Sequence, residues 1–121
     1  MRALLALALL LPAAASAQDA PRQVEVRLSS FDFTPSTIRL AAGRPIVLHL
    51  VNSGDGGHNF AAPEFFAAAQ GVAGPVERGR VEVAGNQSVD IRLTPARGTY
   101  RLRCTHTLHT AFGMTGEIVV E

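Results

Sequence analysis

The segment 104–114 contains several side chains that can bind a metal. It reads CTHTLHTAFGM and holds the only cysteine of the chain, two of its four histidines and its only methionine besides the first residue. Four residues separate Cys104 from His109, and four more separate His109 from Met114. A loop of that length can fold back so that a thiolate, an imidazole and a thioether face one point. Thiolate and thioether are soft donors that suit copper, and two histidines with one cysteine and a long axial methionine form a known copper site.

The second imidazole must come from another part of the chain, and His58 fits. The tripeptide Gly-His-Asn around His58 ends the stretch 52–59, in which Asn, Ser, Asp and Gly predict a loop. This loop follows an apolar strand predicted over 46–51, so we expect it at the same end of the fold as the C-terminal segment. The predicted metal ligands are therefore His58, Cys104, His109 and Met114.

His106 is an alternative ligand from the C-terminal segment. Cys104 and His106 would share one face if the strand before them continued through residue 106. That choice leaves seven residues before Met114, so His109 is preferred and His106 is expected beside the ligands or facing a partner. The remaining histidine, His49, alternates within a predicted strand and is interpreted as structural or as a surface residue.

Most of the chain shows the period-2 alternation of strands that bury one face. Seven or eight such short segments, with a turn signal about every ten residues, predict an all-β fold. The predicted architecture is an antiparallel Greek-key β-sandwich of seven to eight strands. The predicted strands lie around residues 24–28, 31–34, 38–40, 46–51, 81–83, 89–93, 100–102 and 118–120.

Residues 63–80 interrupt the strand pattern. The segment 63–70 (PEFFAAAQ) has a proline at its first turn and predicts a helix of about two turns. Residues 71–80 (GVAGPVERGR) predict a connecting loop. We therefore expect one short helix or loop insertion near 63–80.

The first 17 residues, MRALLALALLLPAAASA, have the pattern of a cleaved signal peptide. Arg2 supplies the charge, an apolar run follows over 3–11, and Ala15-Ser16-Ala17 fits a small-x-small cleavage site. The run is shorter than the roughly 20 residues that a membrane-spanning helix needs. We therefore expect an exported or periplasmic protein with one domain over 18–121.

The composition of residues 18–121 excludes some partners. Ten arginines balance ten acidic residues, so nothing favours nucleic acid or an anionic membrane surface as a partner. We expect a monomer without a membrane span. A lone cysteine in an oxidising compartment is a liability unless it is buried or bound to something, which agrees with a metal-bound Cys104.

These motifs resemble the cupredoxins over most of residues 18–121. Tyr100-x-x-x-Cys104 and Gly113-Met114-Thr115-Gly116 are similar to plastocyanin-like endings, as is the gap of four residues before Met114. The gap of four residues between Cys104 and His109, together with Gly57-His58-Asn59, is more azurin-like. The resemblance implies one mononuclear type-1 copper ion held in a β-sandwich.

The resemblance also implies roles for the neighbours of the ligands. Asn59 would direct its backbone N–H at the thiolate sulfur, and its side chain would bond to Thr105. Gly57 would offer a weak backbone carbonyl to the metal, unless it is a turn glycine with positive φ. An apolar shield around the metal, or part of the core, would come from Phe60, Phe65, Phe66 and Phe112.

The leading functional hypothesis is one-electron transfer by copper cycling between Cu(I) and Cu(II). The alternative is a periplasmic copper-binding protein that delivers metal from the same site. No position for a substrate is evident, so we do not expect an enzyme. A redox partner protein is implied, but the sequence does not identify it.

Overall fold

The structure is a computed structural model that describes residues 8–10, 20–106 and 113–121. The predicted signal peptide lies outside the described residues except for 8–10. No helix in the described ranges is long and apolar enough to cross a membrane. The elements within these ranges are β1 (Arg22–Ser29), β2 (Asp32–Thr34), β3 (Thr37–Leu40), β4 (Ile46–Asn52), β5 (His58–Ala61), α1 (Pro63–Ala68), β6 (Gln70–Ala73), β7 (Arg80–Val83), β8 (Gln87–Thr94), β9 (Gly98–Arg103) and β10 (Thr115–Val120).

The strands form two five-stranded sheets, which confirms the prediction of an all-β sandwich. The first sheet has the order β2-β1-β4-β8-β6, and the second has the order β3-β10-β9-β5-β7. Most neighbours are antiparallel, but β1 pairs with β4 and β3 pairs with β10 in parallel. The antiparallel arrangement that the sequence favoured therefore holds for most pairs but not for these two, and the described residues form ten strands, not seven or eight. The chain leaves the first sheet after β2 and returns to it with β4, and this crossover brings two strands of the same direction together.

The alternation of apolar and other residues along the strands matches the burial of every second side chain in the sandwich. Val26 and Leu28 of β1, and Leu48 and Leu50 of β4, are completely or almost completely buried between the sheets. Removing each such side chain from water contributes about 1.5–3 kcal/mol to folding. The same core cluster reaches the end of the sandwich where the predicted metal ligands lie.

The region 63–80 contains the predicted short helix, but the rest of it is not simply a loop. Helix α1 ends at Ala68, and Ala69 has an extended backbone. Strand β6 follows at once and pairs with β8 through Gln70 and Ala73. All four residues of β6 are exposed, so no alternation of burial marked it as a strand in the sequence.

Candidate metal centre

Three strands bring the two predicted ligand segments together. β5 begins at His58, β9 ends one residue before Cys104, and β10 begins one residue after Met114. β5 and β9 are antiparallel neighbours with Ala61 opposite Arg103. The start of β5 therefore lies beside the residues that follow β9, as the prediction of one shared site requires.

The described donor side chains are buried. Cys104 and Met114 have no exposed surface, and His58 is 7% exposed. The backbone N–H of Cys104 donates to the carbonyl oxygen of Met114 at 3.1 Å, which joins the two ends of the segment 104–114. His109 and Phe112, predicted as a ligand and as part of an apolar shield, lie outside the described residues.

No three histidine, cysteine, aspartate or glutamate side chains converge on a possible metal position within 8–10, 20–106 and 113–121. Of the four predicted ligands, only His58 and Cys104 are both of these residue types and within the described ranges. Its other members are the thioether of Met114 and the imidazole of His109.

Asn59 connects the two segments at the sulfur. Its backbone N–H lies 3.4 Å from Cys104 Sγ, and the residue itself is 1% exposed. Its side-chain Nδ2 donates to Thr105 Oγ1 at 2.7 Å, and the Thr105 N–H donates to Asn59 Oδ1 at 2.8 Å. Both contacts expected for Asn59 are confirmed. The contact to sulfur and the two bonds to Thr105 therefore hold Cys104 against the start of β5.

The loop before His58 is held by Asn52, a residue that sequence reasoning treated only as part of a loop. Asn52 Nδ2 donates to the carbonyl oxygens of Gly56 at 2.8 Å and Val83 at 3.1 Å. Asn52 Oδ1 accepts the N–H of Gly54 at 3.1 Å. Asparagine often forms such local turns, so the residue type was the signal that marked this role.

The turn between β7 and β8 packs closely on the same loop. A Cβ atom at Gly85 would lie 2.1 Å from the carbonyl oxygen of Asp55, so no larger residue fits without moving the loop. The N–H of Asn86 also donates to the carbonyl oxygen of Gly54 at 2.9 Å. The His58 loop is therefore supported by a turn distant in sequence.

Gly57 does not have a positive φ, so its interpretation as a turn glycine is wrong. It lies against His106: a Cβ atom at Gly57 would be 3.5 Å from His106 Cε1, an ordinary van der Waals distance. This contact links the two segments a second time. Whether the Gly57 carbonyl reaches a metal stays a prediction.

His106 also contacts Glu82, a residue that the sequence analysis did not identify. His106 Nε2 lies 2.8 Å from Glu82 Oε2, and Glu82 Oε1 accepts a hydrogen bond from Asn59 Nδ2 at 2.9 Å. Partial burial raises the pKa of the Glu82 carboxyl. Hydrogen bonds from Asn59 and His106, with the positive charges of His106 and Arg80, outweigh this effect and hold the pKa below its ordinary value. Glu82 is therefore a carboxylate at neutral pH.

Three of the four predicted shield phenylalanines belong to the core. Phe60, Phe65 and Phe66 are buried in the same cluster as Cys104 and Met114. Phe66 contacts both others edge-on, with ring centroids 6.0 Å from Phe60 and 5.3 Å from Phe65. They therefore contribute to the apolar core that also contains the two sulfur donors.

His49 lies away from this site, on the outer face of the first sheet. Its Nδ1 pairs with an Asp90 carboxylate oxygen across β4 and β8. The prediction of a structural or surface role for His49 is confirmed.

Comparison with known proteins identifies the class to which this fold and site belong. A family model described as a cupredoxin-like domain matches residues 1–120. The chain therefore belongs to the family of cupredoxin-like domains, which confirms the resemblance derived from the motifs. A search of curated proteins finds no match.

Solved structures with the same fold include two auracyanins. Auracyanin B is 25% identical, with a TM-score of 0.64 over 84% of this chain and 91% of that one. Auracyanin A, a "blue" copper protein from the green thermophilic photosynthetic bacterium Chloroflexus aurantiacus, is 19% identical, with a TM-score of 0.61 over 84% of this chain and 100% of that one. The McoA multicopper oxidase of Aquifex aeolicus is 16% identical, with a TM-score of 0.67 over 86% of this chain but 30% of the oxidase. The second and third similarities concern the fold alone.

Proposed function

We propose that this protein is an exported mononuclear copper protein that carries single electrons. Its ligands would be His58, Cys104, His109 and Met114 around one type-1 copper ion. Membership of the cupredoxin-like family supports this proposal, as does the similarity to auracyanin B. The observation that carries it is the hydrogen bond from the Asn59 N–H to Cys104 Sγ.

That hydrogen bond matters because it fixes the position of the sulfur atom that would bind copper. A donor in contact with a ligand atom orients that ligand and tunes the metal that it binds. Cys104 is fully buried, and its N–H donor is the residue that follows the predicted ligand His58. The arrangement therefore suits a sulfur donor that is held in a fixed position for a soft metal ion.

The chain would hold the metal ligands in fixed positions, as fast electron transfer requires. When bound, copper supplies a one-electron couple between Cu(I) and Cu(II), and two sulfur donors with two imidazoles suit both states. Asn52 and Asn59 hold the loops that carry His58 and Cys104 through hydrogen bonds. Ligands fixed in this way move little when the charge of the metal changes, so the barrier to electron transfer stays low.

Burial of the sulfur donors favours a carrier over a copper-delivery protein. Delivery requires that an acceptor reach the ligands, but Cys104 and Met114 have no exposed surface. A complete set of four protein ligands also leaves no open position for a substrate, so we propose no enzymatic activity. The expected partners are redox proteins that approach a monomer.

Addition of Cu(II) to the metal-free protein lacking residues 1–17 is expected to produce an intense thiolate-to-copper band and a blue colour. The band should saturate at one copper per chain, disappear on one-electron reduction and return on reoxidation. Absorption spectroscopy during a redox titration measures all three. Rapid loss of Cu(I) to a chelator in place of reversible cycling would favour delivery, and absence of the band would contradict the proposal.

Export is expected to remove residues 1–17. The intact mass of protein recovered from the periplasm should correspond to a chain that begins at or near Gln18. Leu7→Arg, which places a charge in the apolar run, should leave the precursor unprocessed. Mature-size protein from the Leu7→Arg variant, or wild-type protein that keeps Met1 and stays with membranes, would contradict this prediction.

A further inference from the structure

A hydrogen-bonded network on the outer face of the second sheet extends beyond the two ligand segments. It joins Glu82 on β7, Asn59 on β5 and the residues Thr105 and His106 that follow β9. β5 lies between β7 and β9 in the sheet, so the network crosses three adjacent strands. Its outermost member, Glu82, lies on the edge strand of the sheet.

The sheet fixes the position of Glu82. Its neighbours Val81 and Val83 are completely buried, which directs the carboxylate to the outer face. Glu82 is the cross-strand partner of Asn59. Its two oxygens take different partners: Oε1 accepts from Asn59 Nδ2 at 2.9 Å, and Oε2 lies 2.8 Å from His106 Nε2. One carboxylate therefore contacts both segments that bear predicted ligands.

The hydrogen bonds of Asn59 stabilise the network more than the ion pair between Glu82 and His106 does. The side chains of Glu82 and His106 are 64% and 34% exposed, and ion pairs of such exposure contribute little to stability. Asn59 is almost fully buried and uses both side-chain hydrogens, one on Glu82 and one on Thr105. Loss of the Glu82 acceptor would remove one of the two hydrogen bonds that this amide group donates, and would so loosen its contact with Thr105.

The geometry points to Glu82 as a positioning residue of the proposed copper site. Its carboxylate holds the Asn59 side chain against Thr105 and holds His106 against Gly57, and thereby keeps the Asn59 N–H directed at Cys104 Sγ. This inference rests on the proposed function and adds to it a residue from a strand that carries no ligand. Such supporting contacts set the orientation of ligands and the strength of metal binding.

Two Glu82 variants and one matched control test the inference. Glu82→Ala removes the acceptor, whereas Glu82→Gln keeps an oxygen for Asn59 and a polar amide group beside His106. Asp90→Ala is the control, because it removes the carboxylate from the His49 pair on the other sheet. Like Glu82→Ala, it removes a histidine-paired carboxylate of similar exposure (61% against 64%), but it does not touch the site.

The first measurement uses metal-free protein. Hydrogen exchange followed by NMR should be about tenfold faster at the Thr105 amide in Glu82→Ala, the change expected for loss of one hydrogen bond. Glu82→Gln and Asp90→Ala should exchange within about twofold of wild type, as surface changes that keep local hydrogen bonds do. Unchanged exchange in Glu82→Ala would overturn the inference whether or not the protein binds copper.

The second measurement titrates the same proteins with Cu(II) alone. Glu82→Ala should bind Cu(II) roughly ten- to a hundredfold more weakly and keep a thiolate band shifted in energy. Glu82→Gln should restore both properties. Wild-type affinity and band position in Glu82→Ala, or a Glu82→Gln protein as impaired as Glu82→Ala, would overturn the inference. If wild-type protein bound no Cu(II), the proposed function would be wrong, while the exchange data would still decide whether Glu82 holds Asn59.

Discussion

Cys104→Ser is expected to abolish the thiolate-to-copper band completely while the sandwich stays folded. A serine hydroxyl is a hard donor that remains protonated at neutral pH, so it cannot replace a thiolate as a ligand of copper. The side chain is fully buried, and its sulfur accepts the Asn59 N–H, a bond that a hydroxyl oxygen can also accept. The free energy of unfolding should therefore fall by about 1–2 kcal/mol and no more. Absorption and circular dichroism measured on the same sample report the two effects.

Val26→Thr is the matched control for the Cys104 variant. It also places a hydroxyl at a completely buried position, but on β1 in the body of the core. It should lower stability by a similar amount and keep the band. A Cys104→Ser protein that stays blue would refute Cys104 as the ligand. If both variants lost their colour, the cause would be a disturbed core and not the loss of a ligand.

The second large effect is expected when the two histidines of the C-terminal segment are replaced in turn, because only His109 is the predicted ligand. His109→Ala should open the coordination sphere, so the thiolate band bleaches or shifts until external imidazole is supplied. His109 is the central residue of the nine that separate Cys104 from Met114. The hydrogen bond from the Cys104 N–H to the Met114 carbonyl oxygen joins the ends of that segment. A ligand at the centre of a segment with joined ends can be held opposite both sulfur donors.

His106→Ala should keep the band, changing at most the reduction potential or the affinity for a partner. The His106 ring already lies beside Gly57 and within hydrogen-bond distance of Glu82, on the outer face of the sheet. Titration of both variants with Cu(II), with and without added imidazole, gives the comparison. The reverse pattern, with colour lost in His106→Ala and retained in His109→Ala, would assign the ligand to His106.

Much of this protein could be predicted from short stretches of sequence. The alternation in β1 and β4 reports burial on one face of a strand, and this is a property of neighbouring residues. The proline at the start of 63–70 likewise predicted helix α1. The contacts of Asn59 were expected because its place next to His58 matches the cupredoxin pattern. Ligation by His58, Cys104, His109 and Met114 stays a prediction.

Other features left no local signal. β6 is exposed throughout, so only its pairing with β8 identifies it as a strand. The parallel pairing of β1 with β4 follows from a crossover between sheets, and period-2 alternation is the same in parallel and antiparallel strands. The contact between Gly57 and His106 also joins residues that are far apart in the chain.

The sequence by itself determined the donor types, their spacing and the strand-rich fold, because each is encoded in residues close together in the chain. Only the tertiary structure decided that Glu82 contacts Asn59 and His106, and that Asn52 and Gly85 support the loop before His58. These contacts join residues from separate strands and turns. They exist only when the strands pair in one register, since a shift of one residue would turn Glu82 into the core and Val83 towards the solvent.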